Sequence, residues 1–328
     1  MKQYVTKVAS KLNLPLSYNT YLLRGKKATK DLLLGIFIVI ILAGIAFVIL
    51  SPLLAILSSS FMSRSDIYNP LVYLLPRAPT LAHFGFALQY MNYWQALRFT
   101  LTYTFGITLL QIAVCSFVGY GFARFRFPGR SIIFGMVILT IVIPTQTIII
   151  PLYSQFRFFD LFGLLGLVGA EPINLLGRIH STILVTAFGQ GLRSGLYIFI
   201  FRQFFRGLPK EIEEAAFIDG AGPMYTYARV MLPNAVPAIV TVMLFSIVWQ
   251  YNDVYFASVF MSGVQNLLSV NLSGLGVAYH WGEQEMDFNL VNAVVNAGVV
   301  LTILPIISIY LFLQKFFMEG IERSGIVG

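Results

Sequence analysis

The sequence from Arg202 to Pro237 reads RQFFRGLPKEIEEAAFIDGAGPMYTYARVMLPNAVP, the only long polar interval between two strongly apolar stretches in the second half of the chain. Pro209 suits the first turn of a helix, because the N–H that it lacks would have no partner there. Gly220 predicts the end of that helix, and Pro223 predicts the start of a second short one. Since isolated helices shorter than about 12–15 residues are marginal in water, this interval must dock on another surface.

The composition places the chain in a membrane. Of its 328 residues 57% are hydrophobic and 11% are charged, with a mean hydropathy of +0.78, whereas soluble domains carry about 25% charged residues. The net charge of +8 comes from basic residues spread between apolar stretches, a pattern that fits membrane orientation better than nucleic-acid binding. A single cysteine, Cys115, excludes an intramolecular disulfide framework. We therefore predict an all-α, multi-pass membrane protein that binds no nucleic acid.

Six apolar stretches are each near the roughly 20 residues that a helix needs to cross the hydrocarbon. Basic residues exceed acidic ones over residues 1–31 and again between the second and third stretches, which predicts that both chain ends are cytoplasmic. We expect a basic cytoplasmic segment over residues 1–31 and a transmembrane domain over residues 32–328. The predicted spans are Leu32–Leu57, Trp94–Phe122, Ser131–Tyr153, His180–Phe201, Asn234–Ala257 and Leu290–Leu313, and the predicted external segments are 58–93, 156–179 and 258–288.

The polar interval also carries a family pattern. Glu214-Ala215-Ala216, three residues, Gly220, nine residues, Val230, one residue and Leu232-Pro233 resemble the EAA loop of ABC importer permeases. The family usually has isoleucine where this chain has Val230. The flanking residues 204–210 and 218–221 resemble the carbohydrate branch, the permeases like the smaller membrane subunit of the maltose system. The resemblance reaches from about the second span to the tail at 315–328, where the usual lysine before the last glycine is replaced by Val327.

The resemblance implies a type I ABC importer permease bundle in a bacterial inner (plasma) membrane, with residues 202–233 as a cytoplasmic coupling loop. The implied partners are a second, non-identical permease, two ATPase subunits, an extracytoplasmic sugar-binding protein or lipoprotein, and membrane lipid. The implied substrate is a sugar, either an oligosaccharide or a sugar derivative. ATP and Mg²⁺ would bind the ATPase, and no cofactor would bind this chain. The residues implied to couple to the ATPase are Glu213, Glu214, Ala215, Ala216, Asp219, Gly220, Leu232 and Pro233.

Two spans contain residues that are unusual in lipid. Pro144 and Pro151 interrupt the third span, so Gln146 either lines a polar cavity or lies beside a structural kink. Arg193 lies within the fourth span, where a charge is costly in lipid and should face protein or the interface.

Further polar residues in the fifth and sixth spans are candidates for the substrate pathway. Tyr251, Asn252 and Asp253 belong to a run that resembles the Trp-Asn-Asp pattern of carbohydrate permeases. Asn252 and Asp253 either bond sugar hydroxyls or cap the helix. Asn292 and Asn296 are four residues apart, hence on one helix face, and serve either as interhelical hydrogen bonds or as pathway lining.

Several kinds of chemistry are missing from the sequence. There is no Gly-x4-Gly-Lys-Ser/Thr phosphate loop, so this chain is not expected to hydrolyse ATP or to act as an enzyme. His280 and Glu283 are too few ligands for a metal site, and we expect them in a solvated loop. Paired carboxylates are missing from the spans, although a proton- or sodium-coupled carrier would usually have some there. This favours an ATP-driven importer over the alternative, an ion-coupled secondary carrier or channel that acts without an ATPase.

Overall fold

The computed structural model describes residues 16–160, 163–167, 169, 171–261 and 267–325. Within these ranges the regular elements are helical, apart from two isolated antiparallel bridges, Met62–Pro79 and Phe159–Ile173. The helices are α1 Leu16–Phe61, α2 Arg64–Ile67, α3 Ala82–Tyr90, α4 Tyr93–Arg124, α5 Arg130–Val142, α6 Thr145–Arg157, α7 Leu164–Leu167, α8 His180–Ala187, α9 Ser194–Gly207, α10 Lys210–Ile218, α11 Pro223–Thr226, a π-helical turn Tyr227–Met231, α12 Leu232–Asn234, α13 Val236–Tyr251, α14 Tyr255–Phe260, α15 Leu268–Glu283 and α16 Phe288–Gly325.

Three of the described helices are long and apolar enough to cross a membrane, over Leu32–Phe61, Tyr93–Arg124 and Phe288–Lys315. Two further candidates are bent pairs: α5 with α6, at 107°, and the helices from Pro223 to Tyr251, at 77°. By length and composition, the described residues therefore hold three candidate spans, or up to five if each bent pair counts as one. The predicted all-α membrane fold is confirmed, while the number of six spans and the cytoplasmic position of both ends stay predictions.

The chain divides into two units, Met1–Ser58 and Ser59–Gly328. In the first unit the side chains from Leu32 to Leu50 are all exposed and almost all apolar, which is the surface that lipid covers on a spanning helix. Pro52 lies inside α1 without ending it. Residues 1–15 of the predicted basic segment lie outside the described residues, as do the last three residues of the predicted tail at 315–328.

Helix α4 is the centre of the second unit, where it packs against α9, α13 and α8. Its second half contributes Cys115 and Tyr120 to a buried cluster with Phe201 and Phe205 of α9 and Met231 of the π-helical turn. Its first half joins a separate buried cluster with α3, α15 and α16. This long helix therefore links the two ends of the unit.

Helices α4 and α9 approach closely at Gly119, where an added Cβ would lie 2.7 Å from the Phe201 Cβ and 3.0 Å from the Arg202 nitrogen. We expect Gly119→Ala to lower the free energy of unfolding by roughly 1–3 kcal/mol through overpacking. Gly106, in the same helix, has open space around it, so Gly106→Ala should raise that free energy by about 0.5–1 kcal/mol. Thermal unfolding of the detergent-solubilised protein measures both variants, and a shift of the same sign in both would contradict this packing.

Two predicted external segments contain helices. Residues 58–93 include the nine-residue helix α3. Residues 258–288 are mostly the 16-residue helix α15, so the predicted solvated loop is wrong. The reason is an apolar stripe at helical spacing, with Leu268, Leu275 and Tyr279 buried, which outweighs the polar residues between them.

The predicted fourth span, His180–Phe201, is divided in two. Helix α8 ends at Ala187 and α9 begins at Ser194. Between them Gly189 and Arg193 have φ values of 72° and 62°, in the left-handed region that a continuous α-helix excludes. Glycine takes this conformation at little cost, and the break begins at that residue.

Candidate functional site

The polar interval folds as helix, glycine turn and helix, as its prolines and Gly220 predict. Helix α10 covers Lys210–Ile218, Gly220 follows with φ +82°, and Pro223 occupies the first turn of α11. Glu211 lies in the first turn of α10, where the positive end of the helix dipole favours an acid. The first residues of the predicted loop, 202–207, belong instead to the end of α9.

Glu213 fastens α10 to the end of α4. Its Oε2 atom lies 3.4 Å from Nε of Arg124, with both side chains largely buried, and its Oε1 atom accepts a 2.5 Å hydrogen bond from the Tyr120 hydroxyl. Arg124 also donates through Nη2 to the Leu208 carbonyl at 2.8 Å. Charge-assisted hydrogen bonds of this kind are stronger than neutral ones, so they hold the buried side of α10 against the end of α4.

The polar interval exposes four large apolar side chains among its charged ones. Ile218 is 86% exposed, and Phe217 before it and Met224 and Tyr225 after the glycine turn are exposed as well. We call these four residues the tip patch. Four exposed apolar side chains within nine residues of chain are typical of an interaction surface rather than of a face that water covers.

The eight predicted coupling residues do not share one face. Ala215 is exposed and Ala216 is buried, because successive residues of an α-helix point about 100° apart. Glu213 and Ala216 are buried, and Leu232 is half-buried. The remaining five are exposed: Glu214, Ala215, Asp219, Gly220 and Pro233.

The fold itself uses the polar groups of two predicted pathway residues in the fifth span. The buried Tyr251 donates to the Thr302 carbonyl at 2.8 Å. The buried Asp253 carboxylate accepts hydrogen bonds from the N–H groups of Phe256 and Ala257, each at 3.1 Å, and so caps α14. The neighbouring Asn252 is exposed. A role of these residues in substrate contact stays a prediction.

The other predicted pathway residues lie apart. Gln146 is exposed near the start of α6. Asn296 donates to the Ser59 hydroxyl at 2.7 Å, an interhelical bond, and Asn292 is half-buried one turn earlier.

Gln111 is a central residue that sequence reasoning missed. It is fully buried in α4, donates to the Leu192 carbonyl at 2.8 Å and accepts a 2.6 Å hydrogen bond from the Ser246 hydroxyl. It therefore ties the break between α8 and α9 to α13. The signal that could have found it is a lone amide near the middle of a long apolar stretch.

The same break opens onto a cavity of about 190 Å³, lined by residues 189–196, by Thr140, Ile143 and Ile148 from the α5–α6 bend, and by Phe256. Arg193 lines this cavity, and its guanidinium carbon lies 4.2 Å from the ring centroid of Trp249. The charge thus faces protein, as expected for an arginine within an apolar span.

Comparison with known proteins gives one family. The family described as binding-protein-dependent transport system inner membrane component matches residues 112–321. Relatives include the osmoprotective compounds uptake permease protein GgtD of Synechocystis sp., 28% identical over 288 residues, which cover 86% of this chain and 89% of that protein. The arabinooligosaccharides transport system permease protein AraQ of Halalkalibacterium halodurans is 28% identical over 290 residues, covering 87% and 94%. The sn-glycerol-3-phosphate transport system permease protein UgpE of Escherichia coli is 25% identical over 293 residues, with the same coverage.

Among solved structures, a chain in the crystal structure of a bacterial ABC transporter involved in the import of the acidic polysaccharide alginate has a TM-score of 0.64 to this chain. It is 23% identical, and the match covers 88% of this chain and 98% of that one. The likeness shows that the two chains share a fold.

Proposed function

The chain belongs to the family of binding-protein-dependent transport system inner membrane components, and from that premise we propose that it is the permease subunit of an ATP-driven importer for a carbohydrate or carbohydrate derivative. A separate ATPase binds ATP and Mg²⁺ and hydrolyses the nucleotide. A second, non-identical permease completes the membrane domain, with two ATPase subunits on the inside and a sugar-binding protein on the outside.

The observation that supports this proposal is that the polar interval exposes apolar side chains at its tip and is bonded to α4 through its buried side. Its tip patch presents Ile218 to a partner, while Glu213 ties the same short helix to Arg124 at the end of α4. A partner that moves the tip therefore moves α4 with it. For ATP to drive transport, it must bind one conformation of the assembly more tightly than the other, because equal affinity shifts no equilibrium.

The assignment of a carbohydrate substrate rests on the relatives. One is named for arabinooligosaccharides and another for sn-glycerol-3-phosphate. These names support a sugar or a polyol derivative as the substrate, but they differ in whether the solute carries a charge. Family membership therefore leaves the charge of the solute open.

Reconstitution in vesicles tests the proposal. We expect solute uptake only when the second permease, the ATPase, the binding protein and ATP are all present. Vesicles that hold this chain alone should take up nothing when a proton or sodium gradient is imposed. Uptake by this chain alone, driven by such a gradient, would show that it is an ion-coupled carrier and would overturn the proposal.

A further inference from the structure

Arg193 lies inside the predicted fourth span, immediately before α9. Helix α9 runs 14 residues from Ser194 to Gly207, so at 1.5 Å per residue Arg193 is about 20 Å along the helix from its polar end. The hydrocarbon of a bilayer is about 30 Å thick. An arginine at such a depth faces a water-filled cavity or protein, and commonly marks a substrate or ion path.

This arginine has no counter-ion among the described residues, where the ion pair within 4 Å joins Arg124 and Glu213. The Nε atom of Arg193 is buried and makes no hydrogen bond in the described part of the chain. Its contact is the face of Trp249 at 4.2 Å. A cation–π contact offsets part of the desolvation of a guanidinium, but it does not satisfy the buried Nε–H donor.

The break that carries Arg193 is firmly built. Gln111 holds it from α4 through the Leu192 carbonyl. On the other side Gly195 lies against α5 so closely that an added Cβ would be 3.0 Å from the Val137 carbonyl oxygen. The backbone on either side of Arg193 is therefore held by α4 and α5, which frame the cavity.

The cavity suits an acidic group. Its roughly 190 Å³ exceed the share of liquid volume of one water, about 30 Å³. The first residues of α9, Ser194 to Leu196, also line it, so the positive end of that helix faces the same space. Broken membrane helices present half-helix N-termini to anionic substrate groups in this way in other transporters. A carboxylate, phosphate or sulfate can accept two parallel hydrogen bonds from a guanidinium and neutralise it, which a neutral hydroxyl cannot do.

We propose that Arg193, at the break between α8 and α9, binds an acidic group of the transported solute, so that the substrate class is an anionic carbohydrate or polyol derivative. This inference rests on the proposed importer function and adds to it the charge of the solute.

The test uses the complete reconstituted transporter and pairs of solutes that differ in charge: oligogalacturonate with its methyl ester, glucose 6-phosphate with glucose, and sn-glycerol 3-phosphate with glycerol. We expect ATP-driven uptake of an acidic member and not of its neutral counterpart. Arg193→Gln should raise the half-saturating concentration of that acidic solute at least tenfold. Arg193→Lys, which keeps the charge, should raise it less. Arg98→Gln, which removes an exposed arginine outside the cavity, is the matched control and should leave the concentration unchanged.

Three results would overturn this inference. The first is a transporter that works with ATP but does not use the charge. It would take up only the neutral members, or its half-saturating concentration for the acidic solute would be the same in wild type and Arg193→Gln. The second is a loss in Arg193→Gln that affects acidic and neutral solutes alike and weakens co-purification of the second permease, which would place Arg193 in the subunit interface. The third is no ATP-driven uptake of any solute. This result would contradict the proposed importer function, and the inference about Arg193 depends on that function.

Discussion

Replacing Ile218 with aspartate is expected to abolish ATP-driven uptake while the chain still folds and inserts. The side chain is 86% exposed, so its loss removes no internal packing. At a protein interface, truncating one of the few residues that dominate binding costs about 2–4 kcal/mol, which here would be roughly a 30- to 700-fold loss of affinity for the ATPase. A buried carboxylate in place of a methyl-rich surface adds a desolvation cost.

Two measurements check this result together. Co-purification of the ATPase with the permease reports binding, and thermal unfolding of the solubilised permease reports folding. The matched variant Ile218→Val keeps an apolar side chain and should retain most of the uptake. Normal uptake and normal ATPase binding in Ile218→Asp would show that the tip patch is not the coupling surface.

Replacing Glu213 with alanine is expected to give the largest loss of stability. The change leaves the buried guanidinium of Arg124 without its carboxylate and the Tyr120 hydroxyl without its acceptor. Removing one partner of a buried ion pair costs about 3–5 kcal/mol, because the remaining charge is uncompensated. Glu214, the next residue, is exposed, and Glu214→Ala should change the free energy of unfolding by less than about 0.5 kcal/mol.

Thermal unfolding of the two alanine variants in detergent distinguishes these roles. The double variant Glu213→Leu with Arg124→Leu should recover part of the stability, since it leaves no unpaired charge. Equal unfolding temperatures for Glu213→Ala and Glu214→Ala would show that the Arg124 contact does not stabilise the fold. If Glu214→Ala loses uptake while its unfolding temperature is unchanged, that result supports a contact between this exposed carboxylate and the ATPase.

A feature of the structure could be predicted from the sequence when the residues that determine it lie close to it in the chain. The helix, turn and helix of the polar interval follow from Pro209, Gly220 and Pro223, each of which acts on its immediate neighbours. The direction in which α10 faces is decided by Tyr120 and Arg124, some ninety residues earlier in the chain. No local sequence pattern predicts that contact, so the sequence alone does not tell which residues of α10 are buried.

The same division applies to the broken span. Gly189 and Gly191 were visible in the sequence, but the apolar residues around them favoured one continuous helix. The break is stabilised by Gln111, which lies in another helix, and that partner cannot be inferred from residues 180–201 alone. In α15 the apolar stripe was present in the sequence, but the polar residues around His280 led to the prediction of a solvated loop.

The tie between Glu213 and Arg124 has a geometric consequence for the far side of the membrane. Helix α4 has 32 residues, and at 1.5 Å per residue it is about 48 Å long. Rotating as one rigid rod about its Arg124 end, it would displace the Tyr93 end by about 4 Å for every 5° of tilt. A small angular change beside Arg124 would thus be amplified to roughly a side-chain width at the other end. The two membrane surfaces would respond together, without a chain of intermediate contacts between them.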